Sequence, residues 1–154
     1  MKINIRKLFI SILIPVLLGG LVGLITGSGN NYNDLIQPSF APPSILFPIV
    51  WTILYTLMGI SCYIILESNS YNSGEALAIY IIQLIVNLLW SFIFFVFNWY
   101  FIAFLWIMLL IFLVYLMIKS FYSISKISGI IQIPYLLWLI FAAILNISIV
   151  ILNR

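Results

Sequence analysis

Five stretches of this sequence run for 18 to 23 residues without a charged side chain, at 8–25, 45–66, 76–97, 100–118 and 130–152. A helix needs about 20 apolar residues to cross ~30 Å of hydrocarbon, so each stretch has the length of one crossing. The runs are continuously apolar and do not alternate, which points to helices and away from barrel strands. Only Asn98 and Trp99 separate the third run from the fourth. Read as one helix, 76–118 would extend about 65 Å at ~1.5 Å per residue, twice a bilayer, so a tight turn is forced there. The expected fold is an all-α integral membrane protein, a single domain over 1–154 built as a bundle of five transmembrane helices. Its longest connection, 26–44, is expected to be a lid-like loop.

Composition agrees with lipid as the solvent. The chain is 66% hydrophobic and 6% charged, whereas soluble domains carry about 25% charged residues. Six Lys or Arg against three Asp or Glu are too few for a nucleic-acid patch, so no nucleic-acid partner is expected. An odd number of spans places the termini on opposite sides. Lys2, Arg6, Lys7, Lys119 and Lys126, with Glu67 and Glu75, then share the amino-terminal side, leaving Asp34 and Arg154 on the other. The positive-inside rule makes the amino terminus cytoplasmic and turns the 26–44 loop outward. The opening KINIRK and the run after it have the look of a signal peptide. No convincing cleavage site comes after it, and the segment is read as a retained first helix. Gly19, Gly23 and Gly27 recur every fourth residue in it, a spacing that permits close helix contact; packing within the bundle is the reading preferred to a dimer seam.

Missing residue types narrow the chemistry. There is no histidine, which removes the commonest metal ligand, the usual haem ligand and the usual general base. A single cysteine, Cys62, excludes an intrachain disulfide. Asp34, Glu67 and Glu75 are all assigned to loops, and no Lys or Arg sits in the middle of a run. Ion-coupled carriers place ionisable groups at mid-membrane, so such coupling is disfavoured, as is acid–base hydrolysis. No metal site is expected.

The polar residues that do enter the runs are neutral and in helical register with aromatics. Tyr80, Gln83, Asn87, Trp90 and Phe94 share one face of the third run; Tyr135, Trp138, Ala142 and Asn146 share a face of the fifth; Trp51, Tyr55, Met58 and Cys62 share a face of the second. Taken singly, Asn87 and Asn146 could be interhelical hydrogen-bond glue, and Trp51 and Trp99 interfacial anchors. Together, three uncharged aromatic-polar stripes describe a pocket for a large, flat, mostly apolar ligand. Between the first two runs lies QPSFAPPSILFPIVW, residues 37–51. Pro38, Pro42 and Pro43 stiffen this loop by fixing φ. Phe40 offers an apolar foot to the bundle mouth, Pro48 falls in the first turn of the second helix, and Trp51 lies one turn deeper. A semi-rigid lid over the pocket is expected; a plain stiff connector is the alternative.

The segments PSFAPPxxxFPxVWTxLYxLMG (38–59), QLxxNLLWSxxFF (83–95) and PYLxWxxFAxxLN (134–146) closely resemble the tryptophan-rich sensory protein and translocator protein family (TspO/MBR), also called the peripheral-type benzodiazepine receptor family. The resemblance spans essentially the whole chain. It implies a five-helix receptor or sensor for porphyrins, protoporphyrin IX above all, and for benzodiazepine-receptor-type and other flat lipophilic small molecules. It also implies a homodimer in the bilayer, here expected in the plasma membrane of a bacterium. Light- and oxygen-dependent degradation of protoporphyrin is a further implied activity, with Trp51 and Trp138 in a redox role; transport of porphyrin or a small lipophile is the alternative. No cofactor is required, protoporphyrin IX being ligand or substrate. The ligand-binding residues expected are Tyr32, Phe40, Pro42, Trp51, Tyr55, Gln83, Asn87, Trp90, Phe94, Trp138, Ala142 and Asn146. Two positions depart from the family pattern. Ile36 stands where a tryptophan often precedes the first proline, and the late fifth run reads LNISIVILNR, without the tyrosine of the animal cholesterol pattern. Leu113, Tyr115 and Lys119 meet that loose pattern only in the fourth run, so cholesterol binding is not expected.

Overall fold

A computed structural model describes residues 3–154, with the side chains of 28–30 excepted. Lys2, one of the basic residues assigned to the amino-terminal side, lies outside the described residues. The chain forms α1 (Ile5–Thr26), a short α2 (Ser28–Asn33), α3 (Leu46–Glu67), α4 (Ser73–Ser91), α5 (Tyr100–Ile124), a short α6 (Lys126–Ile130) and α7 (Ile133–Leu152). Five helical segments are long and apolar enough to cross a membrane: α1, α3, α4 with its extension to Val96, α5, and α6 with α7. The protein is an all-helical integral membrane protein, and no strand occurs among the described residues.

Helix ends reflect local chemistry. Asn4 caps α1, its side-chain oxygen accepting from the Lys7 N–H at 3.1 Å. At the other end Gly27 adopts φ 60°, where its N–H returns to the carbonyls of Gly23 and Leu24. The forced turn between the third and fourth spans is present. Asn98 takes φ 54°, a left-handed value that Asn tolerates better than most side chains, and Trp99 N–H closes on the Ile93 carbonyl at 3.1 Å. Pro134 sits in the first turn of α7, where its missing N–H has no cost.

The sequence expectations need four corrections. The fourth span continues as helix to Ile124, six residues beyond 118, because helical hydrogen bonding persists where the side chains turn polar. For the same reason Glu67 and Glu75 belong to helices and not to loops. The fifth span begins slightly later than 130, as α7 at Ile133, and a separate short α6 precedes it, capped by the Ser125 hydroxyl. The 26–44 connection is not wholly irregular, since α2 occupies its start.

The helices close into a ring in the order α1, α3, α7, α5, α4, with α6 joining α3 to the base of α7. The tightest approach is between α1 and α3. A Cβ at Gly59 would overlap the backbone of Ser11 and Ile12. Pro15 lacks the N–H that would otherwise bond the Ser11 carbonyl, so that carbonyl is the one Gly59 packs against. Lys7 and Glu67 pair at 2.8 Å across the same two helices, near their shared end. Most outward-facing residues in the spans are apolar, with Phe9, Leu17, Leu105 and Phe112 all exposed, as expected where lipid is the solvent. The core has two parts. The larger joins α3, α4, α5 and α7 around Met58, Val114, Phe121 and Tyr135. The smaller lies beneath the 26–44 connection around Tyr32, Phe94, Leu145 and Ile149.

Candidate functional site

Between the two cores lies a cavity of about 670 Å³, lined by all five spans and by α2. Small-molecule sites commonly enclose ~300–1,000 Å³, mostly apolar with a few polar groups. No Asp, Glu, Lys or Arg lines this one among the described residues. Trp51 and Tyr55 stack at 5.3 Å with a 29° interplanar angle, and Trp90 stacks on Phe94 at 4.9 Å and 26°. Phe47 meets the edge of Trp138 at 5.9 Å, bridging α3 and α7. On α1 the wall includes Gly19, Gly20 and Gly23, which bring backbone to the cavity edge beside Val16, Val22 and Leu24. Gly19 admits the Tyr55 ring, which a Cβ there would overlap.

The α4 wall owes its shape to a π-helical turn at Phe92–Val96, where Phe97 N–H reaches back five residues to the Phe92 carbonyl at 3.0 Å. A π turn takes one more residue than an α turn and therefore rotates the residues after it. Phe95 joins Phe94 on the cavity wall as a result.

Below the cavity a neutral hydrogen-bond chain ties three helices together. Tyr55 O–H donates to Asn87 Oδ1 at 2.7 Å, Asn87 Nδ2 donates to Tyr135 Oη at 2.7 Å, and Tyr135 O–H donates to Gln83 Oε1 at 2.9 Å. Gln83 Nε2 ends the chain on Met58 Sδ at 4.0 Å. Each donor in the chain meets an acceptor, as a polar group inside a membrane protein requires. Higher up, Asn146 accepts from Trp90 Nε1 at 3.4 Å and donates to the Tyr100 carbonyl at 2.9 Å. Asn87 and Asn146 are thus largely spent on the protein itself. Trp138 Nε1 differs: its residue lines the cavity, but the nitrogen itself is covered and has no acceptor among the described residues.

The 26–44 connection covers one end of the cavity and is fastened at several points. Tyr32 is buried, and its O–H donates to the Pro42 carbonyl at 3.1 Å while its ring meets Phe47 edge-on at 4.8 Å. Burial pushes the Tyr32 phenol above its ordinary value near 10.0. Gln37 Nε2 donates to the Tyr32 carbonyl at 2.7 Å, and Asn31 Nδ2 to the Phe95 carbonyl at 3.1 Å. Asn153, at the end of α7, clamps Ile36 from both sides. Its Oδ1 accepts from Ile36 N–H at 3.0 Å and its Nδ2 donates to the Ile36 carbonyl at 2.9 Å.

Of the residues expected from sequence, Tyr32, Trp51, Tyr55, Asn87, Trp90, Phe94, Trp138, Ala142 and Asn146 line the cavity. Three do not. Gln83 is fully buried beneath it, Pro42 contributes a carbonyl to Tyr32, and Phe40 is 49% exposed with its ring against Phe141 at 6.4 Å. Phe40 is therefore an outer prop of the lid, not a foot in the bundle mouth. Met58 and Cys62 continue the α3 stripe into the lower core. Phe47 and the three glycines of α1 escape the sequence reading of the site, although Phe47 lies one helical turn before Trp51.

Five crossing helices around an uncharged, aromatic-walled cavity of small-molecule size, closed by a fastened lid, set the class of this membrane protein. Known proteins give that class a family. Residues 11–152 match the TspO/MBR family. A tryptophan-rich protein TspO of Archaeoglobus fulgidus is 37% identical over 152 residues, covering 97% of this chain and 99% of its own. Protein CrtK of Rhodobacter capsulatus is 34% identical over 136 residues, 87% and 85% of the two chains. The translocator protein of Sus scrofa is 32% identical over 118 residues, 75% and 70% of the two chains. The chain belongs to the TspO/MBR family.

Proposed function

We propose that the protein is a membrane receptor for flat, mostly apolar molecules that carry hydrogen-bond acceptors, with protoporphyrin IX as the leading candidate. The observation that carries this reading is a cavity of stacked aromatic rings without charge, with the covered, unpartnered Trp138 Nε1 in its wall. The nitrogen is covered as the indole stands, so a ligand reaches it only if the ring turns; such a ligand must present an oxygen or nitrogen acceptor, and one that fills the rest must offer π surface. A metal-free porphyrin with carboxylate arms has both features and asks for no axial ligand. The residues therefore fit protoporphyrin better than a histidine-ligated haem. Titrating the purified protein with protoporphyrin in the dark, read by tryptophan quenching, tests the reading. Saturable quenching supports it, with Trp138→Phe weakening binding by about tenfold for one lost hydrogen bond of ~1.4 kcal/mol. Non-saturable quenching would remove the ligand class.

A photo-oxidative activity on bound protoporphyrin is the second reading, favoured by the lining position of Trp51 and by its stack on Tyr55. Illumination in air should then bleach the bound pigment faster than the free pigment. Trp51→Phe and Trp138→Phe should remove that acceleration while leaving residual binding. Vectorial transport has no coupling residue to support it. The placement of Arg6, Lys7, Lys119 and Lys126 supports a cytoplasmic amino terminus, and the plasma membrane of a bacterium is proposed on the family resemblance alone. Assembly as a homodimer is proposed on the family resemblance.

A further inference from the structure

We propose that ligand reaches the cavity sideways from the bilayer, through a portal between α1 and α3, while the lid stays fastened. The proposal rests on the lipophilic-ligand reading of the cavity. Along these two helices, five residues that line the cavity are themselves exposed, which marks where the wall is open. They are Gly20 and Leu24 on α1, Ile45 just before α3, and Pro48 and Thr52 on α3. Below the opening the wall is closed by the Tyr55 ring seated on Gly19 and by Gly59 against the α1 backbone. Above Tyr55 there is room at Gly20, where a Cβ would meet nothing within 4 Å.

The chemistry of the portal suits an apolar traveller. Thr52 carries the one side-chain hydroxyl among these five residues, and it donates to the Pro48 carbonyl of its own helix at 2.7 Å. The opening therefore presents carbon to the hydrocarbon region, and a lipophile passing through it breaks no polar contact. Both flanking helices are membrane spans, so the portal opens into the bilayer on the lid side. The lid route is the opposite. Entry there requires release of the Asn153 clamp on Ile36, the Asn31 bond to the Phe95 carbonyl and the Tyr32 bond to the Pro42 carbonyl. A flat molecule that partitions into membranes meets the open side first.

The test uses the full chain in nanodiscs preloaded with protoporphyrin, with association and dissociation followed by stopped-flow tryptophan quenching. Gly20→Phe and Thr52→Phe place a ring in the portal from opposite sides. Each position is exposed, and thermal unfolding verifies that each variant is folded. Both should slow association by about tenfold, at the low end of the decades over which association rates vary among variants of one site. Dissociation should slow along with association, because ligand leaves by the same door. Asn153→Ala, which unlatches the lid without touching the portal, should leave the association rate unchanged. Unaltered rates in both folded phenylalanine variants would overturn the portal, as would faster entry in Asn153→Ala. Absence of saturable quenching in the wild type would instead overturn the ligand reading and the portal with it.

Discussion

Tyr135 and Tyr80 are both buried phenols in the membrane core, and the structure expects their hydroxyls to act with opposite sign. Tyr135 O–H stands at the centre of the Tyr55–Asn87–Tyr135–Gln83 chain, with one bond in and one bond out. Tyr80 O–H is buried with no partner among the described residues. Replacing Tyr135 with Phe keeps the ring and removes both bonds. Interhelical hydrogen bonds in membranes average ~0.6 kcal/mol and reach ~1.7, so two of them give ~1–3 kcal/mol of destabilisation. The orphaned Asn87 Nδ2 and Gln83 Oε1 push the value toward the upper end, because a buried polar group without a partner is costly. Tyr80→Phe removes an oxygen that has nothing to lose, and the same desolvation argument predicts a neutral or stabilising change of up to ~1 kcal/mol. Reversible unfolding in mild detergent or mixed micelles, with both variants measured side by side, gives the comparison. Equal destabilisation by the two substitutions would refute the reasoning, since the hydrogen-bond chain could then not be what distinguishes them. A double-mutant cycle of Tyr55→Phe with Tyr135→Phe should also show coupling through Asn87, as neighbours sharing a partner do.

Three further outcomes are expected. Gly59→Leu should destabilise the fold by at least ~1–3 kcal/mol, measured in the same unfolding assay, because any Cβ there drives into the α1 backbone. Asn153→Ala should raise the hydrogen-exchange rate of the Ile36 amide, whose acceptor is Asn153 Oδ1, by at least about fivefold for a loss of ~1 kcal/mol. Raising the pH should loosen the lid only in the alkaline range. The folded phenol of Tyr32 titrates above its unfolded value, so its contribution is complete below about pH 10 and is lost as pH climbs through the raised value. Tyr32→Phe should abolish that alkaline step in amide exchange across the 26–44 connection.

Much of the architecture was legible because lipid leaves few options. Unbroken apolar runs of the right length could only be crossing helices, and the short Asn98-Trp99 break could only be a reversal. Helix ends were less legible. Hydropathy stops at Lys119, but backbone hydrogen bonding continues to Ile124 and does not depend on what the side chain dissolves in. Most of the cavity wall came from a 3.6-residue period, which placed Asn87, Trp90 and Phe94 on one face. The same period failed at Phe95, since the π turn changes the rotation per residue. It also grouped Gln83 with the wall, although the helix carries that residue below the floor. Gly59 was silent in the sequence because a lone glycine in an apolar run signals nothing until its neighbour is known. Asn153 was silent for a related reason: a polar clamp between residues 36 and 153 has no periodic trace.

That clamp also orders events in time. Ile36 is fastened by a residue 117 positions later in the chain, at the end of the last helix. Contacts of such long sequence separation form late, after the intervening chain has been made and arranged. While the first four spans are already being inserted, the 26–44 segment has no Asn153 to hold it and no α7 to supply Trp138. Both the fastening and the buried indole donor arrive with the same helix. The α7 wall of the cavity and the fastening of the cover over it are therefore completed together, and a bundle that lacks α7 has an open cavity under an unfastened cover.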